Sequence, residues 1–343
     1  MFFAYKNVLP EKIKIKTEVY MEYQIRTDLA IEASLLDTGD NDSLPNGVEF
    51  EGYKTDYVSV SHIRITDDNG ERAIGKPKGN YVTLEVPGLR ENVSGAFGDA
   101  EKVLSDELKK LIDIKPGCTI MVVGLGNRFV TPDALGPKVI DKLLVTRHLY
   151  GVLPDEITDS MNSLCAVAPC VLGITGMETG EIIKGISDKI KPDTIIAIDA
   201  LASRKTSRIS TTFQIADTGI IPGSGIGNGR KALNHETLGV PVIAIGVPTV
   251  IEAAAVANDA IELLIESVRA NCDEDSPLTK AIMTFDNENR YNLISEVLSP
   301  ATGDMIVTPK EVDSIIDEVS GVIAQSINEA INGESAKKLG EIL

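Results

Sequence analysis

The chain has 343 residues and a formal net charge of −18 at pH 7, with 43% hydrophobic and 24% charged residues. That length and apolar content are enough for a sizeable core, while the acidity works against holding nucleic acid or an anionic membrane surface. No run approaches the roughly 20 apolar residues of a membrane span, and the opening Met1-Phe-Phe-Ala-Tyr-Lys6 is too short for a signal-peptide core, so a cytoplasmic protein with no membrane or nucleic-acid partner is expected.

Residues 1–28 are weakly patterned, with Lys12, Lys14 and Lys16 alternating with isoleucines, and read as a short edge strand or an arm. Asp37–Gly47 is a loop by composition. From Val48 to Pro87, alternation in Tyr57–Ile65 and Tyr81–Val86 predicts antiparallel strands, with Asp67-Asp-Asn-Gly70 as a turn between them. An amphipathic helix is predicted over Ala100–Ile112. Apolar strands then alternate with helices. The strands are Thr119–Gly124, Cys165–Cys170, Thr194–Ile198, Phe213–Ala216 and Val240–Val247; the helices are about Pro132–Leu149, Thr179–Ile190 and Val250–Arg269. This alternation predicts an α/β fold with a largely parallel sheet and helices on both faces. A last helix, Pro309–Asn332, starts with Thr308 as N-cap and Glu311 at the third position, a capping box. The whole reads as one large α/β domain with a β-rich insertion at about 48–97.

Four cysteines (Cys118, Cys165, Cys170, Cys272) include no Cys-x-x-Cys pair, and His62, His148 and His235 form no His-Glu-x-x-His pattern. Cys118, Cys165 and Cys170 fall in or beside apolar strand patterns, as buried thiols do in a reducing compartment. A Cys165–Cys170 disulfide would have to bridge a single strand, which geometry disfavours. No metal or other cofactor is expected. Gly-x-Ser-x-Gly is absent and no cysteine has a plausible histidine partner, so serine and cysteine nucleophiles are not expected.

Two aspartates remain, each just beyond a strand pattern, where the crevice of an open α/β sheet binds ligands. Asp133 lies in Thr131-Pro132-Asp133, read as the N-cap and first turn of a helix. An acid there also complements the helix dipole, but the preceding Gly124-Leu-Gly126-Asn127 favours a site, since glycines let backbone approach a ligand. Asp199 follows Ile195–Ile198 and is either a cap for the next turn or a site residue. Beside it, Arg204 and Arg208 read as groups that bind an acidic side chain or keep the carboxylates ionised; for Lys205 a solvated loop is the plainer reading. Two carboxylates brought together can divide acid and base roles. Glu178, at a helix start, reads first as a cap. The glycine-rich Pro222–Arg230 lacks the Gly-Lys-Ser/Thr of a P-loop, and Phe129 stands where a dinucleotide fingerprint has its third glycine.

Together, Arg26-Thr-Asp-Leu-Ala-Ile-Glu-Ala33, Gly124-Leu-Gly-Asn127, Thr131-Pro-Asp-Ala-Leu-Gly-Pro137, Thr175-Gly-Met-Glu-Thr-Gly-Glu181, Ile198–Arg208, Gln214-Ile-Ala-Asp-Thr-Gly219 and Met305–Lys310 resemble the germination proteases of endospore-forming bacteria. The resemblance implies an aspartic-type endopeptidase that degrades small acid-soluble spore proteins, made in the forespore as a homotetrameric, self-processing zymogen. It implies a three-layer αβα sandwich similar to the hydrogenase maturation proteases, with Asp133 and Asp199 as the catalytic pair. Residues 1–28 then read as a propeptide and 29–343 as the catalytic domain, with Met21 as an alternative start. Cleavage is expected between Asp28 and Leu29, where an acid precedes a large hydrophobe as in the family's substrates. Arg204 and Arg208 are expected to read that acid, with Asn127 and Glu178 as further substrate-binding candidates. Asp199 is expected to be the base, its proton affinity lowered by the arginines, and Asp133 the acid. Two rival readings are a metal-dependent peptidase of the hydrogenase-maturation type and a non-enzymatic module binding a nucleotide or protein.

Overall fold

The structure, a computed structural model, describes residues 28–32, 44–154, 158, 161–223, 230–271, 287–302 and 305–340. The arm expected over residues 1–27, Met21, residues 37–43 of the first loop, residues 224–229 of the glycine-rich loop and Cys272 lie outside the described residues.

Nine strands among the described residues form one mixed sheet: β1 (Val48–Lys54), β2 (Ser59–Ile65), β3 (Gly79–Glu85), β4 (Thr119–Gly124), β5 (Ser163–Val167), β6 (Thr194–Ser203), β7 (Thr212–Ala216), β8 (Val242–Glu252) and β9 (Ile306–Val307). Their order is β1-β2-β3-β7-β8-β6-β4-β5, with β9 on the end of β8. The parallel arrangement expected from the βα alternation is confined to β8, β6, β4 and β5. The insertion strands do not make a sheet of their own. β3 pairs antiparallel with β7, which pairs antiparallel with β8, so the insertion extends the same sheet.

Strand alternation sorts side chains onto two faces. Ile198, Ile245, Ile215 and Val82 are paired across four strands and enter the largest apolar cluster. Helices α1 (Ala96–Leu111), α2 (Leu135–Lys142) and the helix from Val312 supply the other half of that cluster. The opposite face carries two clusters. Met121, Val123, Ile195 and Ala197 pack with Ile183 of α3 (Thr179–Ile190). Leu201, Ala216, Tyr81, Ile63 and Ile65 pack with Leu29, Ala30 and Ile31. Asp199 lies between Ala197 and Leu201 on β6, on the face and at the level where those two clusters meet. Further helices are α4 (Ala253–Asn271), α5 (Asn287–Thr302) and α6 (Val312–Gly340), the last interrupted at Gly333. No helix among the described residues is long and apolar enough to cross a membrane.

Several elements differ from the sequence expectation for physical reasons. Asp67 is not in a hairpin turn; its carboxylate accepts the N–H groups of Asn69 and Gly70 and caps a helix, Asp68–Ile74. The helix expected over Pro132–Leu149 is broken into a 3-10 turn at Thr131–Asp133, α2, and a second 3-10 turn at Arg147–Leu149. Tertiary partners take the backbone donors that would have continued it: Leu144 N–H goes to Asn328 Oδ1 and Thr146 N–H to Leu164 O. Thr308 does not cap the last helix, which begins only at Val312; its hydroxyl instead donates to Thr249 O. β6 runs five residues past Ile198, since Ala200–Ser203 find partners on an equally extended β8.

The insertion is fastened to α1 through one fully buried acid. Glu107 accepts Tyr53 Oη at 2.6 Å and Lys110 Nζ at 2.6 Å, with His62 Nε2 at 3.3 Å. Burial opposes ionisation, but the hydrogen bonds from His62, Lys110 and Tyr53 prevail and hold the carboxyl down at about 2. A carboxyl held below its ordinary value stabilises the fold at pH above that ordinary value and loses the contribution as pH falls. Glu107→Gln should therefore lower the unfolding free energy at neutral pH by about 1–3 kcal/mol. Urea unfolding checks this, and the gap from the parent should shrink as pH drops from about 4.5 towards 2.

Candidate active site

β4 ends at Gly124, and the loop that follows is tied to β6 by Leu125 N–H donating to Ile198 O at 2.8 Å. Gly126 adopts φ +104°, and a Cβ there would lie 2.0 Å from Asp133 O, so only glycine lets the loop close on the 3-10 turn. Asn127 N–H donates to Asp133 Oδ2 at 2.8 Å, and its side chain accepts Phe129 N–H, which holds the loop in register. Asp133 is thus fixed above the carboxyl end of β4. Burial raises its pKa, and the Asn127 N–H pulls the other way.

Asp199 is only 5% exposed. Its Oδ1 accepts the N–H of Ala200 at 3.0 Å. Burial raises its pKa well above the carboxylate range, and the charges of Asp133 and then Asp28 raise it further. In the sheet, Asp199 pairs with Gly246 of β8, and Gly246 pairs on its other side with Gln214 of β7. Residues paired in such a row share a face.

Residues 28–32 lie over this face. Asp28 N–H donates to Ala202 O at 3.4 Å, and Ala202 N–H donates to Asp28 Oδ2 at 3.0 Å. The β6–β8 register slips between Leu201 and Ala202, next to this contact; such bulges re-aim strands beside sites. Gln214 grips the same stretch: its Nε2 donates to Asp28 O at 3.0 Å and its Oε1 accepts Ala30 N–H at 2.5 Å. Leu29 and Ala30 are fully buried. Glu32 is buried too, its carboxylate accepting Ser203 Oγ (3.1 Å), Arg204 N–H (2.9 Å) and Lys205 N–H (3.2 Å), with Arg208 Nη1 at 3.2 Å.

The structure therefore brings Asp28, Leu29, Asp133 and Asp199 to one place and assigns the arginines elsewhere. Arg208 is held between Glu32 and Glu85, whose Oε1 accepts its Nε at 2.9 Å. Arg204 offers its backbone to Glu32, and its half-buried guanidinium faces Glu262, Glu32 and Asp259. Both meet Glu32, the acid four residues beyond Asp28, while the charges that bear on Asp199 are those of Asp133 and Asp28. Lys76 is a cation in the field of Asp28: burial lowers its pKa, and the charges of Asp28 and Glu32 favour its charged form. Glu178 is engaged by Arg230 Nη1 at 3.6 Å. Among the described residues no group of three or more His, Cys, Asp or Glu is gathered as a metal site would need, and Cys118, Cys165 and Cys170 are free thiols. Sequence reading missed Glu32, Gln214 and Lys76 as site residues; only the occurrence of the first two inside family-like stretches marked them.

Comparison with known proteins places the chain among the peptidases. It belongs to the germination protease family, whose profile matches residues 26–291 and 273–340. A germination protease of Clostridium acetobutylicum is 48% identical over 93% of this chain and 98% of its own length. One from Clostridium tetani is 45% identical, covering 90% and 95%. One from Priestia megaterium is 39% identical, covering 91% and 95%. The chain is thus a protease with a role in germination, acting on protein.

A carboxyl whose folded pKa is raised has the opposite linkage to Glu107. The folded state holds the proton more tightly, so its contribution is full below the unfolded pKa and is lost as pH rises through the folded value. Asp199→Asn should therefore raise the melting temperature at neutral pH by about 2 °C or more. The gain should vanish below about pH 4, where the unfolded carboxyl is also protonated. Thermal unfolding followed by circular dichroism across that range checks it.

Proposed function

We propose that the chain is an aspartic-type endopeptidase, made as a zymogen, that removes its own residues 1–28 by cutting Asp28–Leu29 and then degrades small acid-soluble spore proteins in the spore core as a homotetramer. The observation that carries this reading is the docking of residues 28–32 along the sheet face of Asp199, with the Asp28 carbonyl held by a hydrogen bond and Asp133 within electrostatic reach. Residues 29–343 act as one catalytic unit with the insertion built in, because β1–β3 share its sheet. Apolar clusters with helical partners on opposite sides of the sheet support the αβα layering of the hydrogenase-maturation-protease type.

In the proposed chemistry a water adds its oxygen to the Asp28 carbonyl carbon and gives its proton to one carboxylate. The tetrahedral intermediate collapses with rupture of the C–N bond, and the Leu29 nitrogen takes a proton from the other carboxyl. The environments favour Asp199 as the acid, since it is the more deeply buried and lies in the field of two other acids. Asp133, steadied by the Asn127 N–H, is then the base. This reverses the assignment expected from sequence, which relied on arginines that the structure places at Glu32. Hydrolysis should fall as pH rises through the folded pKa of Asp199 and as it falls through that of Asp133.

The substrate preference follows from the pockets: an acid before the cut, a large hydrophobe after it, and a second acid at the place of Glu32. Glu32→Gln removes the charge-assisted hydrogen bonds, and self-cleavage should slow by roughly 10-fold or more. For the trans reaction, the chain starting at Leu29 is incubated with a small acid-soluble spore protein. Asp133→Asn and Asp199→Asn should each reduce cleavage by roughly 10³-fold, and a chelator should leave the parent unchanged. Substantial hydrolysis by either variant contradicts the carboxylate pair; loss on chelation points to the metal-dependent alternative.

A further inference from the structure

We infer that Gln214 is a catalytic residue that stabilises the oxyanion formed on the carbonyl of the cleaved bond; this rests on the proposed cut at Asp28–Leu29. Gln214 lies in the middle of β7 and is 9% exposed, on a face shared with Ala216, Leu201, Tyr81 and Ile63. A primary amide there is costly unless both ends are bonded. Both bonds go to one stretch of backbone: Nε2 donates to Asp28 O at 3.0 Å and Oε1 accepts Ala30 N–H at 2.5 Å. The amide therefore bridges Leu29 and clasps the peptide on both sides of the Asp28–Leu29 bond.

The row of paired residues places this clasp opposite the acid. Asp199, Gly246 and Gln214 are neighbours on β6, β8 and β7. At about 4.8 Å between strands, the Asp199 and Gln214 backbones stand roughly 10 Å apart. The residue between them is glycine, and a Cβ there would lie 2.3 Å from the Leu201 side chain. The glycine thus makes room for the Leu201 side chain, which covers the sheet between the acid and the amide.

The two bonds differ in what they do during hydrolysis. The Oε1 bond to Ala30 is the same before and after water adds, so it binds without accelerating. The Nε2 bond points at the oxygen that receives the electron pair when the water oxygen attacks. A preorganised donor there strengthens as charge develops, and removing one such donor slows the reaction by roughly 10²–10³.

The test is the rate at which the full-length chain is converted to the chain starting at Leu29, by intact mass, for the parent, Gln214→Glu and Gln214→Met from mildly acidic to neutral pH. Gln214→Glu keeps an acceptor for Ala30 N–H and loses the donor to Asp28 O. Both variants should be roughly 10²–10³ slower than the parent at neutral pH. Towards acid pH the Gln214→Glu deficit should shrink, because a protonated Glu regains a donor, while the Gln214→Met deficit stays constant. A Gln214→Glu rate within about 3-fold of the parent at neutral pH overturns the role, as do equal deficits of the two variants at every pH. Should one variant melt below the assay temperature, the other decides by rate alone: parental speed overturns the role and a roughly 10²-fold or greater loss supports it. A parent that cuts elsewhere removes the cleavage reading beneath the proposal; a parent that cuts after Asp28 while Gln214→Glu keeps pace removes only the role of Gln214.

Discussion

One carboxyl set into a sheet face is the constraint on which the rest of the site depends. Asp199 occupies a strand position that alternation would give to an aliphatic residue, between Ala197 and Leu201. Ala200 N–H donates to it, and two other acids bear on it. A buried carboxyl under those conditions holds its proton. Everything near it is compatible with that state: Gly246 admits the apolar Leu201 side chain beside it, the loop after β4 supplies a second acid with its own backbone donor, and residues 28–31 cover it from above.

The pocket for Glu32 shows the opposite solution. That acid is as deeply buried as Asp199 but is met by a hydroxyl, two backbone N–H groups and a guanidinium. Such donors fix the register of the chain that carries it. Within a few residues of β6 the fold thus holds one acid that positions a chain and another that, in the proposed reaction, is the proton source. Residues 28–32 connect the two: Glu32 sets the register, Leu29, Ala30 and Ile31 fill the apolar face, and the Asp28 carbonyl arrives at Gln214.

Much of this was legible in the sequence. The apolar runs at Thr119–Gly124 and Thr194–Ile198 located β4 and the start of β6, and short glycine-rich surroundings marked the Asp133 loop. The family-like stretches led to the germination proteases, and the family match agrees. Other features were hidden because their causes are non-local. A charge after four apolar residues looks like a strand end, yet β6 continues because β8 continues beside it. The insertion read as antiparallel strands within one domain, but its place in the main sheet was hidden because the β3–β7 pairing joins residues 127–135 positions apart. The basic cluster was readable as an anion site, but which anion it meets depended on bringing Glu32 across 171 residues to Ser203. Gln214 showed no sign of its role in strand alternation, since a polar residue on a half-buried strand ordinarily faces water.

The most direct test of the central claim is intact mass against time for the full-length chain at mildly acidic pH, beside Asp199→Asn. The account expects loss of residues 1–28 from the parent, with Leu29 as the new N-terminus, and no loss from the variant. A cut at any other bond in the parent, or the same cut in Asp199→Asn at a comparable rate, would contradict it.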